Sequence, residues 1–134
     1  MTTSEKIKSL KKKCDKLWSE AVRLRDKECV LCGKTNGLAA HHWIHSRAQG
    51  NKHRWNIKNG ITLCFTCHIY KVHHYASADV IGQLNEVAFE RGIISKEELD
   101  NIANDHSLLK AGITEMEATR DYLTDYLEQL KEQR

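Results

Sequence analysis

Proline is absent from this chain of 134 residues, and so is any long apolar run. Without proline, no predicted helix is interrupted by a residue that lacks a backbone N–H. A helix that crosses a bilayer needs about 20 consecutive, mostly apolar residues, so the sequence predicts no membrane span and no membrane partner. The first residues are rich in Thr, Ser and Lys and lack the apolar stretch of a secretory signal. We therefore expect a cytoplasmic protein.

Acidic residues are missing from the middle of the chain. Residues 29–75 contain no Asp or Glu, although they carry six Lys or Arg and seven of the eight histidines. About a quarter of the residues in an average protein are charged, with both signs present. A basic segment of this kind suits a surface that approaches phosphates. The alternative is an ordinary solvated face.

The segments on either side differ from the middle in charge and in hydrophobic period. Residues 1–28 carry nine basic and five acidic side chains, and their apolar residues recur at spacings of three and four. This pattern predicts a basic amphipathic helix over residues 3–27. Residues 76–134 carry thirteen acidic and six basic side chains and also have a helical period. We expect them to form a helical acidic C-terminal extension.

Start and stop signals divide this extension into helices. Ser95 with Glu98 and Thr114 with Glu117 have the spacing of capping boxes, and glycines at 92 and 112 favour helix ends. The first and last helices of the chain each have an apolar face that needs a partner. They can pack on each other, on the core, or across a homodimer.

Short elements are predicted for the middle segment. Glycines separate brief apolar runs there, which favours strands over 38–44 and 61–63 and a helix over 68–74. The whole chain is therefore predicted to be α+β: a small core at 29–75 between a long N-terminal helix and a helical extension.

Four of the five cysteines form two Cys-x-x-Cys pairs, Cys29 with Cys32 and Cys64 with Cys67. Two such pairs can complete a closed, tetrahedral structural zinc site. The alternatives are ordinary buried cysteines or a redox pair, and no βαβ pattern surrounds either pair to support redox chemistry. Cys14 lies on the apolar stripe of the first helix, so we interpret it as a small core residue.

The runs "CVLCG", "AHHWIHSR" and "NGITLCFTCH" resemble those of His-Asn-His (HNH) endonucleases that carry a four-cysteine zinc. The preceding run "LWSEAVRLRDKECVLCG" is similar to bacteriophage members, including the NinG/Rap group of recombination endonucleases. The resemblance covers residues 17–75. It implies a ββα-metal core and a DNA endonuclease that works in a bacterial or phage-infected cell, in recombination, packaging or restriction.

The resemblance also implies a role for each site residue. His41 and His68 would be ligands of one catalytic divalent metal, His42 the general base, and Asn59 the residue that hydrogen-bonds across the loop and fixes the hairpin. A neutral histidine can take a proton from water near pH 7, and adjacent strand residues face opposite ways, so His41 and His42 do different work. Many members have Asp at the position of His41. An imidazole there favours zinc, nickel or manganese over magnesium, without excluding magnesium.

A third protein ligand is less well defined. His73 lies five residues after His68, which is about 140° around an α-helix, so it reaches the same metal only if the helix ends or distorts. The alternative is a surface histidine, which is also how we interpret His45, His53 and His74, with DNA contact as a further possibility.

Basic residues of the core are candidates for contacts with DNA phosphates, because guanidinium and ammonium groups bind phosphate. These candidates are Arg47, Lys52, Arg54 and Lys58. Solvated side chains are the alternative, and for Trp43 and Trp55 we expect core packing rather than base stacking. Two rival functions stay open: a zinc-containing DNA-binding module without nuclease activity, and a structural accessory that works through its acidic tail.

Overall fold

The computed structural model of the chain describes residues 1–68, 78–110 and 112–133, and it confirms the α+β class. Among these residues, no helix is long and apolar enough to cross a membrane. The principal elements in chain order are α1 (Thr3–Asp26), β1 (Leu38–His42), β2 (Gly60–Cys64), α2 (Ala78–Glu90), α3 (Lys96–Ala103) and α4 (Ile113–Glu132). Three short 3-10 turns connect the strands: Arg47–Gln49, Lys52–Trp55 and Ile57–Asn59. Residues 65–68 begin a helical segment directly after β2.

The two strands form an antiparallel hairpin with His41 opposite Ile61 and His42 opposite Gly60. Every residue of β2 is buried, which agrees with its apolar sequence. The sequence predicts a strand as far as Ile44, but β1 ends at His42. The backbone N–H of Ile44 donates to the side chain of Asn59 (3.0 Å) and not to a partner strand.

α1 forms as predicted and begins at Thr2, whose hydroxyl accepts a hydrogen bond from the N–H of Glu5. It ends at Lys27, which adopts the left-handed conformation with φ of 69°. Its apolar stripe packs against α4. Two contacts show that the helices run parallel. The thiol of Cys14, in the first half of α1, contacts the carbonyl of Met116 (3.4 Å) near the start of α4. The C-terminal turns of both helices line one groove.

This packing covers, within one chain, the apolar faces that suggested a homodimer. Cys14 is fully buried in that interface, so its interpretation as a core residue is confirmed. The buried residues between α1, α4 and the connecting turns are Cys14, Leu17, Trp18, Ala21, Val22, Trp55, Met116, Leu123 and Leu127. A second cluster lies under the hairpin and is completed by α2 and α3.

α1 also approaches β2 very closely. A Cβ atom on Gly60 would lie 2.5 Å from the side chain of Val22 and 2.6 Å from the ring of Trp18. At the end of α1, Arg25 donates to the carbonyl of Gly60 (2.7 Å). The carboxylate of Asp26, 1% exposed, accepts from the N–H of Thr62 (2.9 Å). Hydrogen bonds between the side chains of Arg25 and Asp26 and the backbone of β2 therefore fix the end of α1 along this strand.

The C-terminal helices differ in part from the prediction. The capping box of Ser95 and Glu98 is confirmed, but the helix it opens ends at Ala103 and not at Gly112. The following residues instead hydrogen-bond to the turns between the strands: Asn51 donates to the carbonyl of Asp105 (2.7 Å). These bonds to residues distant in sequence compete with helical hydrogen bonds and end α3 at Ala103.

The last helix starts without the predicted box. Gly112 is its N-cap, and no side chain caps it, so the prediction that Thr114 and Glu117 form a box is wrong. Ser77, which the sequence also suggests as the cap of the helix that ends at Gly92, lies outside the described residues, as do residues 69–74 of the helix predicted over 68–74.

We predict that Gly60→Ala destabilises the protein by roughly 1–3 kcal/mol, because an added methyl group in a packed core forces neighbours to move. Gly82, in α2, is the matched control, since a Cβ there would meet nothing within 4 Å. Gly82→Ala should stabilise the protein by about 0.5–1 kcal/mol, through the lower entropy of alanine in the unfolded chain. Urea unfolding measures both. Equal stability of the two variants would contradict the close approach of α1.

Candidate functional site

The four cysteines of the two pairs lie together. Their sulfur atoms are all within 4.8 Å of one another, and the sulfurs of Cys32 and Cys64 are 3.6 Å apart. A tetrahedral site with zinc–sulfur bonds of about 2.3 Å places its sulfurs about 3.8 Å apart. Cys29, Cys64 and Cys67 are buried, and Cys32 is exposed. The cluster is thus positioned to bind a metal ion such as a structural zinc.

Local backbone geometry explains why the first pair converges. The N–H of Gly33 donates to the carbonyl of Cys29 (2.8 Å), and the N–H of Cys29 donates to the carbonyl of Lys34 (2.9 Å). Gly33 has a φ of +79°, a conformation that favours glycine. The N–H of Val30 donates to the carbonyl of Thr62 (3.1 Å), which joins this turn to β2.

The second pair sits at the end of β2. There the N–H of Cys67 donates to the sulfur of Cys64 (3.5 Å). Burial by itself would raise the pKa of Cys64, but this N–H and the neighbouring thiols outweigh burial and lower it to about 7. Burial and the same neighbouring thiols raise the pKa of Cys67, so Cys64 is the thiol that loses its proton first, and a thiolate is the form that binds metal.

His68 follows Cys67 directly and meets His41 from β1. Nδ1 of His41 and Nε2 of His68 are 3.2 Å apart, and the two rings meet edge to face. Two imidazole ligands of one tetrahedral zinc, with bonds of about 2.0–2.1 Å, have their nitrogens about 3.3–3.4 Å apart. In this structure the two nitrogens are within hydrogen-bond distance of each other, and the same separation is close to that of two ligands of one metal ion. His73, the predicted third ligand, lies outside the described residues, as does His74.

The ring of His42 faces α1. Its ring stacks on Trp18, with the ring centres 3.8 Å apart and the planes 11° from parallel. Nε2 of His42 lies 2.9 Å from the carbonyl oxygen of Arg54. A carbonyl can only accept, so Nε2 carries the proton and Nδ1 keeps the lone pair. Burial lowers the pKa of His42, although the Arg54 carbonyl and the nearby Asp15 oppose it, and this favours the neutral ring.

Asp15 of α1 holds the turn that supplies this carbonyl. Its carboxylate accepts two hydrogen bonds from the guanidinium of Arg54 (3.0 and 2.7 Å) and one from the indole N–H of Trp55 (2.8 Å). Burial would raise the pKa of Asp15, but these hydrogen bonds outweigh it and the pKa is lowered. The carboxylate stays ionised and fixes residues 54 and 55 beside His42.

Asn59 is fully buried at the start of β2. Its side-chain oxygen accepts from the N–H groups of Ile44 (3.0 Å) and His45 (2.8 Å), and its amide donates to the carbonyls of His45 (2.9 Å) and His53 (3.2 Å). These four bonds close the loop that follows His42. All four bonds go to backbone groups, so Asn59 fixes the backbone of this loop rather than the histidine rings.

An open cavity of about 530 Å³ brings these groups to one surface. His41, His42 and His68 line it, together with Asp15 and the side chain of Arg47, which is 62% exposed. The cavity thus combines two potential metal ligands, a neutral imidazole and a cation at its rim.

The other predicted phosphate contacts are engaged with carboxylates. Arg54 pairs with Asp15 (2.7 Å), Lys52 with Asp105 (2.7 Å), and Lys58 with Glu98. Arg47 makes only a long contact of 3.9 Å to Asp15. The middle segment has no acidic residue of its own, but α1, α3 and the loop before α4 supply carboxylates to its cations. Carboxylates from other parts of the chain therefore compensate three of the cations of the middle segment.

Two histidines are more buried than predicted. His45 is 6% exposed, and its Nε2 lies 2.6 Å from the carbonyl of Ile102. The side chain of His53 is 15% exposed and contacts Asp105 (3.1 Å). The surface interpretation of both is wrong. They connect the turns between the strands to α3 and the loop that follows it.

The tryptophans pack as expected. Trp55 is buried, and its indole donates to Asp15, whereas Trp43 packs against the core under the hairpin. Trp18 and Asp15 are the site residues that the sequence did not reveal. They are three residues apart on α1, so they share a face of the helix, but nothing in the sequence places that face against β1.

Comparisons with protein-family models, with curated proteins and with solved structures find no match for this chain.

We predict that the protein binds one zinc per chain through the four cysteines. Cys64→Ser should lose the zinc and much of the fold, because metal binding of about 10–16 kcal/mol contributes directly to folding in small zinc sites. Cys14→Ser is the matched control, since Cys14 is equally buried but lies in the interface with α4. Elemental analysis of both variants measures the zinc. A well-folded wild-type protein without zinc would contradict the assignment.

Proposed function

We propose that the protein is a metal-dependent DNA endonuclease of the HNH type, which hydrolyses phosphodiester bonds. The observation that supports this most directly is the separation of 3.2 Å between the nitrogens of His41 and His68, in the same cavity as His42. The resemblance of the sequence to HNH endonucleases assigns ligand, ligand and base to these three positions.

Each of these residues would contribute by its position. His41 and His68 would hold one divalent metal, such as zinc, nickel, manganese or magnesium. When bound, such a metal relieves charge on the phosphate and assists the leaving oxygen. His42 would take the proton of the attacking water at Nδ1, the nitrogen that its hydrogen bond to Arg54 leaves unprotonated.

The surroundings of His42 support this role. Stacking on Trp18 and the hydrogen bond to the Arg54 carbonyl fix both the plane and the tautomer of the ring. Hydrolysis depends on a base held at a defined angle to its water. Arg47, at the rim of the cavity, is the cation best placed to contact the scissile phosphate.

A DNA-binding module without nuclease activity is the main alternative. Binding to phosphates requires cations, but it does not require two imidazoles at metal-ligand separation or a third with a fixed tautomer. Three of the four predicted core cations are already paired with carboxylates, which weakens the case for a module that only binds through this core. The geometry therefore favours hydrolysis.

The test is cleavage of plasmid DNA in the presence of divalent metals. We predict that His42→Ala folds and binds DNA but cuts about 10²–10⁴-fold more slowly, which is roughly 3–5.5 kcal/mol of barrier. His41→Ala should also cut slowly, but raising the metal concentration should partly restore its rate, because it loses a ligand and not the base. His106→Ala, at an exposed histidine outside the cavity, should cut at the wild-type rate.

Each outcome bears on a different part of the proposal. Equal rescue of both slow variants by metal would overturn the separate roles of His41 and His42. Wild-type protein that binds DNA but never cuts it, with any of the four metals, would leave the DNA-binding module in place of the nuclease.

A further inference from the structure

The positive charge that is not paired with carboxylates lies mainly on α1. Between residues 6 and 16 this helix carries six lysines: Lys6, Lys8, Lys11, Lys12, Lys13 and Lys16. Within the described part of the chain, none of the six forms an ion pair. The acidic residue of this stretch, Asp15, is held by Arg54 and Trp55. The first half of α1 is therefore a strongly basic rod.

One face of this rod continues the cavity. Asp15 and Ser19 of α1 line the cavity beside His41 and His42. Lys11 precedes Asp15 by four residues and Lys8 precedes it by seven. At about 100° per residue, both fall within about 40° of Asp15 around the helix axis. They lie about 6 and 10 Å beyond Asp15 along the axis, since each residue rises about 1.5 Å.

We infer that this face of α1 is the surface along which the backbone of duplex DNA leaves the cavity, with Lys8 and Lys11 contacting its phosphates. The inference rests on the proposed function, which places a scissile phosphate in the cavity. It identifies the N-terminal helix, and not the zinc-containing core, as the main source of DNA affinity.

Charge and continuity argue for DNA as the occupant. Phosphates follow one another every 3.4 Å along each strand of a duplex, so a strand that enters the cavity passes several phosphates within the reach of Lys11 and Lys8. The long stems of lysine let the ammonium groups adapt to these positions. α4 packs on the side of α1 that carries Cys14, Leu17 and Ala21, about 100–160° around the helix from Asp15. Lys8 is exposed and Lys11 is half-buried, so α4 leaves both ammonium groups accessible to DNA.

The chain offers a matched control for this surface. Lys13 and Lys6 precede Asp15 by two and nine residues, which is about 200° and 180° around the helix. They carry the same charge on the same helix but lie on the face away from the cavity. Replacing either pair with glutamine removes two charges and keeps a residue of similar helix propensity.

The experiment measures the affinity of a labelled 20-base-pair duplex by fluorescence anisotropy, in the His42→Ala background to prevent cleavage. Salt is varied from 50 to 200 mM. Each phosphate contact contributes about 0.9 to the slope of log affinity against log salt. We expect Lys8→Gln with Lys11→Gln to reduce the slope by about two and to weaken binding by an order of magnitude or more at 0.1 M salt. The Lys6→Gln and Lys13→Gln pair should leave the slope nearly unchanged.

The outcomes separate this inference from the proposed function. Equal losses for the two pairs would show a general effect of charge and overturn the assigned face. Unchanged duplex affinity of the Lys8 and Lys11 variant, together with plasmid cleavage at the wild-type rate by the same two substitutions in the protein that keeps His42, would overturn the inference and leave the nuclease intact. Failure of the background protein to bind duplex DNA, with no cleavage by the wild type, would overturn both.

Discussion

The close approach of α1 to β2 is the contact on which the candidate site depends. Gly60 leaves room for Trp18 and Val22, and the paired side chains of Arg25 and Asp26 bond to the backbone of the same strand. Packed this closely, α1 brings the ring of Trp18 under His42. It also brings Asp15 to the turn whose carbonyl fixes the tautomer of that histidine. A helix outside the zinc-containing core thus orients the proposed base.

The sequence predicts those parts of the structure that depend on local chemistry. α1 spans almost the predicted range and the capping box at Ser95 forms, because each depends on residues within a few positions of one another. The two Cys-x-x-Cys pairs meet although Cys32 and Cys64 are 32 residues apart, and their spacing predicts this because four thiols in two such pairs are typical of one shared metal site. Two of the predictions that fail depend on distant partners. β1 stops early because Asn59, across the hairpin, takes the N–H groups of residues 44 and 45. α3 ends early because Asn51 bonds to the chain after it.

The charge of the middle segment, residues 29–75, also depends on residues that are distant in sequence. A segment of 47 residues without an acid predicts an uncompensated basic surface, since composition is summed along the chain. In the folded chain, acidic residues from other segments lie beside the cations of this segment. Asp15 pairs with Arg54, Glu98 with Lys58, and Asp105 with Lys52. The histidines of the candidate site could be named from the sequence, because their residue type and spacing match a known motif. The role of Asp15 could not be predicted, because nothing in the sequence distinguishes it from the other three acidic residues of α1 or indicates which residues it contacts.

The four-cysteine cluster and the histidine pair are linked through β2. His68 directly follows Cys67, and the residue opposite His41 is Ile61, three positions before Cys64. The cluster also holds the turn at Cys29, whose neighbour Val30 bonds to Thr62 of the same strand. A metal in the cysteine site therefore fixes the end of β2, and with it the separation of His41 and His68. In the proposed enzyme, the structural zinc would set the geometry of the catalytic metal without lying in the cavity, because one short strand connects the two sites.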